Sequence, residues 1–341
     1  MKKMKVGVIG CGSIAKYRHL PEYAMEENVE IIAVCDIVEN RAEEMASTYD
    51  AIAYTDYKEL LKNDDIDAVS VCLPNYLHAP ITIAALQAGK HVLCEKPMAI
   101  SKEEAEQMIE ARQASGKKLM IAHNQRFVPS HQKAREIIES GELGKIHSFR
   151  TAFGHGGPEG WSVDGKESWF FKKEEAFIGA MGDLGVHKTD LLRFLLGEEF
   201  TEVAAFVEGS AKEDSDVDDN AVCVLKTESG IIGTLAASWA YTAKEDNSTI
   251  IYAEKGILRL EDDPNYSLIV QYKNGSTVNY ELGKIQSNDD GGQSTSHTIE
   301  KFVESIELDL NPPVSGEEGM KSLQVVLAAL ESNKTKKIVQ L

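Results

Sequence analysis

The segment Val6-Gly7-Val8-Ile9-Gly10-Cys11-Gly12-Ser13-Ile14-Ala15 limits what this chain can fold into more than any other. An apolar, β-branched run enters G-x-G-x-x-A and continues as a helical pattern, the order in which a buried parallel strand turns tightly into a helix. In that arrangement Gly10 makes the turn, Gly12 lets backbone approach a bound pyrophosphate, and Ala15 lets helix and sheet pack closely. Ser13 and Ile14 then fall on the first helical turn, where backbone amides face the anion. The glycine pattern alone is a weak signal. The next apolar run, however, ends at Asp36, where such a fold needs a carboxylate for the ribose hydroxyls of a dinucleotide. Asp36 would meet a 2′-phosphate with like charge, and Ile37 and Val38 offer no donor, so the expected cofactor is NAD in preference to NADP. Arg41 is the nearby cation that could weaken that preference.

The same alternation runs through the first third of the chain. Val6–Ile9, Ile31–Cys35, Ala68–Leu73, His91–Cys94 and Leu119–Ala122 read as strands, and Arg41–Tyr49, Ile81–Gln87 and Lys102–Ala114 read as helices between them. A βαβα order calls for a doubly wound parallel sheet with right-handed crossovers. After about residue 123 the pattern changes. Helical stretches near Ser130–Glu139 and Gly182–Leu196 precede strand candidates at Glu202–Glu208, Ala221–Leu225, Ile231–Ser238, Thr249–Ala253, Ile257–Leu260 and Leu268–Tyr272. Turns such as Glu228-Ser229-Gly230 and Lys273-Asn274-Gly275 separate several of them, so this half should be mostly antiparallel. Helices near Ser296–Ser305 and Gly316–Asn333 follow. The expected fold is α/β: a Rossmann domain over 1–122, then an α+β domain over 123–341 for substrate binding and oligomerisation, whose last helix can pack back on the first domain. A length of 341 residues agrees with two domains.

The formal net charge of −19 disfavours nucleic acid and anionic membrane surfaces as partners. It does not argue against a dinucleotide, because the amides lining a site outweigh distant, screened charge. Cys11, Cys35, Cys72, Cys94 and Cys223 form no C-x-x-C pair and sit in apolar stretches, which points to buried thiols in a reducing cytoplasm. The lysines and short apolar run at the start of the chain do not read as an export signal, and no apolar stretch reaches spanning length.

Three further segments carry a resemblance. Leu73-Pro74-Asn75-Tyr76-Leu77-His78, Ala88-Gly89-Lys90-His91-Val92-Leu93-Cys94-Glu95-Lys96-Pro97 and Gly182-Asp183-Leu184-Gly185-Val186-His187-Lys188-Thr189-Asp190 resemble the glucose-fructose oxidoreductase / inositol dehydrogenase / MocA-type (Gfo/Idh/MocA) oxidoreductase family over nearly the whole chain. The resemblance implies a Rossmann domain followed by an α+β domain with a large open sheet that supports a homodimer or homotetramer. It implies that Lys96, Asp183 and His187 are catalytic and touch substrate, and that the Lys96–Pro97 bond is cis. It also puts Leu73, Pro74, Asn75, His78, Glu95 and Lys96 beside the cofactor. The implied reaction is NAD-dependent oxidation of a secondary alcohol on a sugar, sugar derivative or cyclitol. The alternatives are an NAD-dependent glycosidase of the same fold and a non-catalytic dinucleotide-binding regulator.

Residue chemistry agrees with that reading. If helical, Asp183 and His187 share a face that Asp190 extends, while Leu184, Leu191 and Leu195 form the apolar stripe. Lys96 follows the carboxyl end of a strand, where doubly wound sheets bind ligands. No third metal ligand stands at a convincing spacing, so no metal is expected. Arg126, His155 and Trp169 are candidate substrate contacts, and the sequence leaves open whether they are structural instead. The same holds for Trp161 and for the run Trp169-Phe170-Phe171, which could stack on a sugar face or fill a core.

Overall fold

The computed structural model describes residues 3–283 and 296–341. They divide into two compact units: 3–123 with 161–165 and 296–320, and 124–160 with 166–283 and 321–341.

The first unit is built on β1 (Met4–Ile9), α1 (Leu20–Met25), β2 (Val29–Cys35), α2 (Glu39–Tyr49), β3 (Ile52–Tyr54), α3 (Tyr57–Leu61), β4 (Ala68–Val71), α4 (Asn75–Gln87), β5 (His91–Cys94), α5 (Lys102–Ser115) and β6 (Leu119–Ile121). Its strands pair in parallel in the order β3-β2-β1-β4-β5-β6. The order reverses between β1 and β4, the switch point at which open α/β sheets bind ligands. β4 and β6 are buried along their whole length, as expected of parallel strands covered on both faces. The expected elements are present: β1, β2, α2, α4 and α5 are longer than expected, β5 has the expected bounds, and β4 and β6 end earlier, at Val71 and Ile121. α4 begins six residues before the predicted start and carries Pro80 inside it; Pro80 is exposed, and the carbonyl it leaves without a donor belongs to exposed Tyr76. The short edge strand β3 was not anticipated, since both Ile52 and Ala53 are exposed and give no alternating pattern.

The second unit contains α6 (Pro129–Glu139), β7 (Ile146–Gly154), α7 (Lys173–Ala176), α8 (Val186–Leu196), β8 (Phe200–Glu208), β9 (Asn220–Thr227), β10 (Ile232–Ser238), β11 (Thr249–Ala253), β12 (Gly256–Leu260), β13 (Leu268–Tyr272) and β14 (Thr277–Tyr280). The chain continues with α9 (Thr298–Glu307), which belongs to the first unit, then α10 (Gly316–Thr335) and β15 (Val339–Gln340). The sheet order is β14-β13-β12-β11-β7-β10-β9-β8-β15, antiparallel throughout except where β7 runs parallel to β10. This is the mostly antiparallel sheet that the sequence led us to expect. One face is packed: Phe149, Val203, Cys223, Leu225, Leu235 and Ile251 meet Leu191, Leu192 and Leu195 of α8 and Val325, Val326 and Ala329 of α10. The other face exposes Phe206 (71%), Val222 (54%), Val224 (46%) and Ile232 (50%). Alternation along β8, β9 and β10 produces both faces at once. No helix among the described residues is long and apolar enough to cross a membrane.

Candidate active site

In the first unit the glycine turn has the backbone that the motif demands. Gly10 has φ +96°, and a Cβ there would stand 2.1 Å from the carbonyl oxygen of Cys72 and 3.1 Å from the Leu73 side chain. No L side chain fits. A Cβ on Gly12 would have nothing within 4 Å, so space lies open above the start of the helix. Asp36, at the end of β2, is fixed beside the turn: Oδ2 accepts from the Cys11 amide at 2.9 Å and Oδ1 from the Val38 amide at 2.8 Å. A left-handed glycine, an open cradle on the next one and a held carboxylate fit a dinucleotide. The Cys11 thiol in this turn is pushed up to about 12 by burial and then by Asp36, so it stays protonated.

Ala15–His19 form a π-helical turn before α1, which directs the His19 ring inward. Its Nδ1 lies 3.0 Å from Ser70 Oγ on β4, and its Nε2 lies 2.9 Å from Glu95 Oε1 just past β5. Tyr23 OH reaches the same Ser70 hydroxyl at 2.9 Å. The Lys96 amide donates to Glu95 Oε2 at 3.2 Å. Burial pushes the Glu95 carboxyl up, but the His19 hydrogen bond, with the charges of His19 and Lys96, more than offsets it and holds the group below the usual carboxylate range. The glycine turn's helix and the Glu95-Lys96-Pro97 turn are thus joined by buried hydrogen bonds, and the Lys96–Pro97 bond is cis, as expected.

His78 joins two other loops. Its ring nitrogens lie 2.7 Å from the carbonyl oxygens of Pro97 and Leu73, while burial pushes its pKa down against those two acceptors. Leu73 and Pro74 form the loop after β4, Pro74 precedes the first turn of α4, and Asn75 is buried there. Among the cofactor candidates, His78 thus ties Leu73 to the Pro97 carbonyl just past Lys96, while Asp36 is held beside the glycine turn.

In the second unit Asp183 lies in a π-helical turn, Met181–Gly185, that runs directly into α8. Asp218 anchors the start of this segment, accepting from the Gly179 amide at 2.7 Å and the Met181 amide at 2.8 Å. Burial pushes the Asp218 carboxyl up, and those two amides oppose the shift. Buried Asp183 accepts at Oδ2 from the indole N–H of Trp239 at 3.1 Å. Trp239 in turn is met edge-on by Phe171 and Phe170, at 5.8 and 6.4 Å between ring centres, and Trp169 stacks on Phe170 at 3.9 Å. The His187 ring lies 5.8 Å from that of Phe153, which also meets the His155 ring at 5.9 Å. His155 Nδ1 accepts from the Gly157 amide at 2.9 Å. Asp183 and Trp169 are therefore carried by the rings around Trp239, and His187 and His155 by the Phe153 ring.

Arg126 and Asp190 behave differently. The Arg126 guanidinium forks onto the Asp190 carboxylate, Nε and Nη2 each at 2.7 Å, and Ser322 donates to the same carboxylate at 2.9 Å. Asp190 does not extend the Asp183–His187 stripe. It is buried in this charge network, which also includes Arg193 at 3.7 Å. Among the described residues no group of three or more His, Cys, Asp or Glu could hold a metal ion. His19, Phe153, Asp218 and Trp239 were not anticipated. Of these, only His19 left a usable signal, since it falls one helical turn after Ala15.

Comparison with known proteins agrees with this geometry. Residues 4–123 match the model of an oxidoreductase family with an NAD-binding Rossmann fold, and residues 131–259 match the GFO/IDH/MocA C-terminal domain. A myo-inositol 2-dehydrogenase of Thermotoga maritima is 28% identical over 345 residues, covering 99% of this chain and 98% of that protein. A levoglucosan dehydrogenase of Pseudarthrobacter phenanthrenivorans is 31% identical over 270 residues, covering 70% of this chain and 68% of the relative. A solved levoglucosan dehydrogenase in complex with NADH and levoglucosan superposes with a TM-score of 0.88 at 26% identity, covering 99% of both chains. With its glycine turn, its parallel and antiparallel sheets and these relatives in agreement, the chain belongs to the Gfo/Idh/MocA family of NAD-binding sugar and inositol oxidoreductases.

Proposed function

We propose that the enzyme oxidises a secondary alcohol on a sugar, sugar derivative or cyclitol, with NAD as the hydride acceptor. The observation that carries this reading is the pair Asp183 and His187 on one buried helical segment, with Asp183 fixed by the Trp239 indole. The names of the relatives support the substrate class. NAD, held by the glycine turn and Asp36, would supply hydride-accepting chemistry for the carbinol carbon. In this proposal His187 takes the hydroxyl proton as general base and Asp183 orients it. Lys96 donates a hydrogen bond to the oxygen as it becomes a carbonyl. Leu73, Pro74, Asn75, His78 and Glu95 support the cofactor loops, and Gly10, Gly12, Ser13, Ile14, Ala15 and Asp36 bind the dinucleotide. His155 beside Phe153 and Trp169 beside Phe170 bound the substrate, and Arg126 serves the site by holding Asp190.

The exposed apolar face of the β8, β9 and β10 strands supports assembly into a homodimer or homotetramer, checked by light scattering of Phe206→Glu against the parent. Five free, buried thiols fit a reducing compartment.

The function is tested by a panel of inositols, aldoses and sugar phosphates with NAD, followed by NADH absorbance. One or more members should give sustained NADH release, which a glycosidase using NAD transiently would not. On that substrate His187→Ala should lower turnover about 10²–10⁴-fold with little change in NAD affinity. Near-normal turnover of His187→Ala would remove His187 from the chemistry.

A further inference from the structure

The segment Trp161–Gly165 clusters with the first unit, although the chain on either side of it, 124–160 and 166–283, belongs to the second. Its anchors are two residues of the dinucleotide site. The Ser13 hydroxyl, on the G-x-G-x-x-A turn, donates to the Trp161 carbonyl at 3.0 Å and accepts from the Val163 amide at 3.1 Å. Arg41, on the first turns of α2 just after Asp36, forks onto the Asp164 carboxylate: Nη1 reaches Oδ2 at 3.4 Å and Nη2 pairs with Oδ1. The Ser13 hydroxyl is therefore used by this strap in both directions.

We infer that Trp161–Gly165 is a strap over the adenosine side of the cofactor site, and that Asp164, by holding Arg41, is a determinant of the choice of NAD over NADP. The inference rests on the reading that the first unit takes a nicotinamide dinucleotide with its adenosine ribose at Asp36.

The charge balance on this side of the site leads to it. A 2′-phosphate needs a cation and rejects carboxylates at short range. Arg41 stands in the field of Asp36, and its pKa is raised first by the hydrogen bond to Asp164 and further by the charges of Asp164 and Asp36. The guanidinium is thus already matched to a planar carboxylate, the partner that a phosphate would have to displace. The other cation paired to α2, Lys16, is held by Glu44 at 2.8 Å. Binding NADP would strip Arg41 from Asp164 and leave the phosphate facing two carboxylates, Asp36 and Asp164. With NAD neither rearrangement is needed. Asp164 adds a second barrier to that of Asp36, and it is supplied by residues more than a hundred positions away in the chain.

The test uses the full-length protein and fluorescence titration of NADH and NADPH, with turnover on the identified substrate as a second readout. Asp164→Asn keeps the shape of the half-exposed side chain and removes its charge. It should tighten NADPH relative to NADH about tenfold, a shift of about 1.4 kcal/mol. In an Arg41→Ala background the same Asp164→Asn change should shift the ratio far less than tenfold, because most of the gain requires the released guanidinium. Ser13→Ala should weaken both dinucleotides together without changing their ratio. An unchanged ratio in Asp164→Asn would overturn the inference, and so would a gain of undiminished size after loss of Arg41. If the parent itself binds NADPH more tightly than NADH, the reading of Asp36 fails. The dependence of the Asp164→Asn effect on Arg41 still decides the role of the strap.

Discussion

His19 Nε2 lies 2.9 Å from Glu95 Oε1, and both residues are buried in the first unit. The contact joins the helix after the glycine turn to the residue before Lys96, so the glycine turn and the Glu-Lys-Pro turn share one hydrogen-bonded pair. Breaking a buried pair by removing one partner leaves an uncompensated polar or charged group.

His19→Ala should therefore cost about 3–5 kcal/mol in urea unfolding. Glu95 also carries a pH signature. Its folded-state carboxyl is held below the ordinary range, so its contribution is present above the unfolded value of about 4.3 and is lost as pH falls below it. Glu95→Gln should flatten the acid limb of the stability curve relative to the parent. An unchanged limb would mean that other carboxylates account for it.

Lys188 acts in a higher pH window, through a penalty on the charged form. Its side chain is fully buried, and its amine donates to the Asn247 carbonyl at 2.7 Å and to Thr249 Oγ1 at 3.4 Å. Burial lowers its pKa from 10.5 to about 7, against the attraction of Glu261, Asp246 and Glu245. Between those two values the unfolded chain binds a proton that the folded chain does not, so stability from this residue rises with pH across that window and the penalty is largest below about 7. Lys188→Met should be more stable than the parent at pH 7, by about 1–3 kcal/mol, and the difference should shrink toward pH 10. Parallel denaturation curves at the two pH values check this.

Gly10 and Gly12 separate folding from binding. Gly10→Ala puts a methyl group 2.1 Å from the Cys72 carbonyl at a positive φ, and should destabilise the protein by about 1–3 kcal/mol or more. Gly12→Ala meets nothing within 4 Å, so it should melt near the parent temperature while losing NADH affinity by an order of magnitude or more. Calorimetry with fluorescence titration on both variants would show it. Normal NADH binding by Gly12→Ala would displace the pyrophosphate from this turn.

Trp239→Phe removes the indole N–H from Asp183 and keeps an aromatic ring against Phe170 and Phe171. Turnover should fall about tenfold, the worth of one hydrogen bond to a charged group, with NADH affinity unchanged. A change confined to thermal stability would make Trp239 a packing residue only.

The parallel sheet was legible because its strands are covered on both faces and read as plain apolar runs. The strand β7 was not, although it lies inside the second sheet. Phe149, Thr151 and Phe153 point to the packed side, but His147, on the same side of the strand, is exposed and Thr151 is a polar inward residue, so the apolar alternation is broken. Lys96, Asp183 and His187 stand out as candidates because they lie in motifs whose residues are close in sequence. Trp239 and Asp218 were hidden because their partners on the Gly179–Asp183 segment are far away in sequence, and nothing local marks a residue whose role is set by such pairing. Arg126 and Asp190 stood out as charges, yet only their bidentate geometry shows that they face each other.

The placement of β7 also bears on how the molecule assembles. β7 is made before β8 and β9, yet its two neighbours in the sheet are β10 and β11, which come after them. The first strand of the second sheet must wait for a long loop to close, the type of contact that slows folding. The first sheet is quicker to pair, but the amide of Ile121 on β6 bonds the carbonyl of Val314, and Ser296 bonds Glu22 on α1. During synthesis, therefore, a Rossmann sheet can zip strand by strand while its far edge stays unsealed until the ribosome has passed residue 314, leaving a window in which a chaperone or a protease meets a half-finished nucleotide fold.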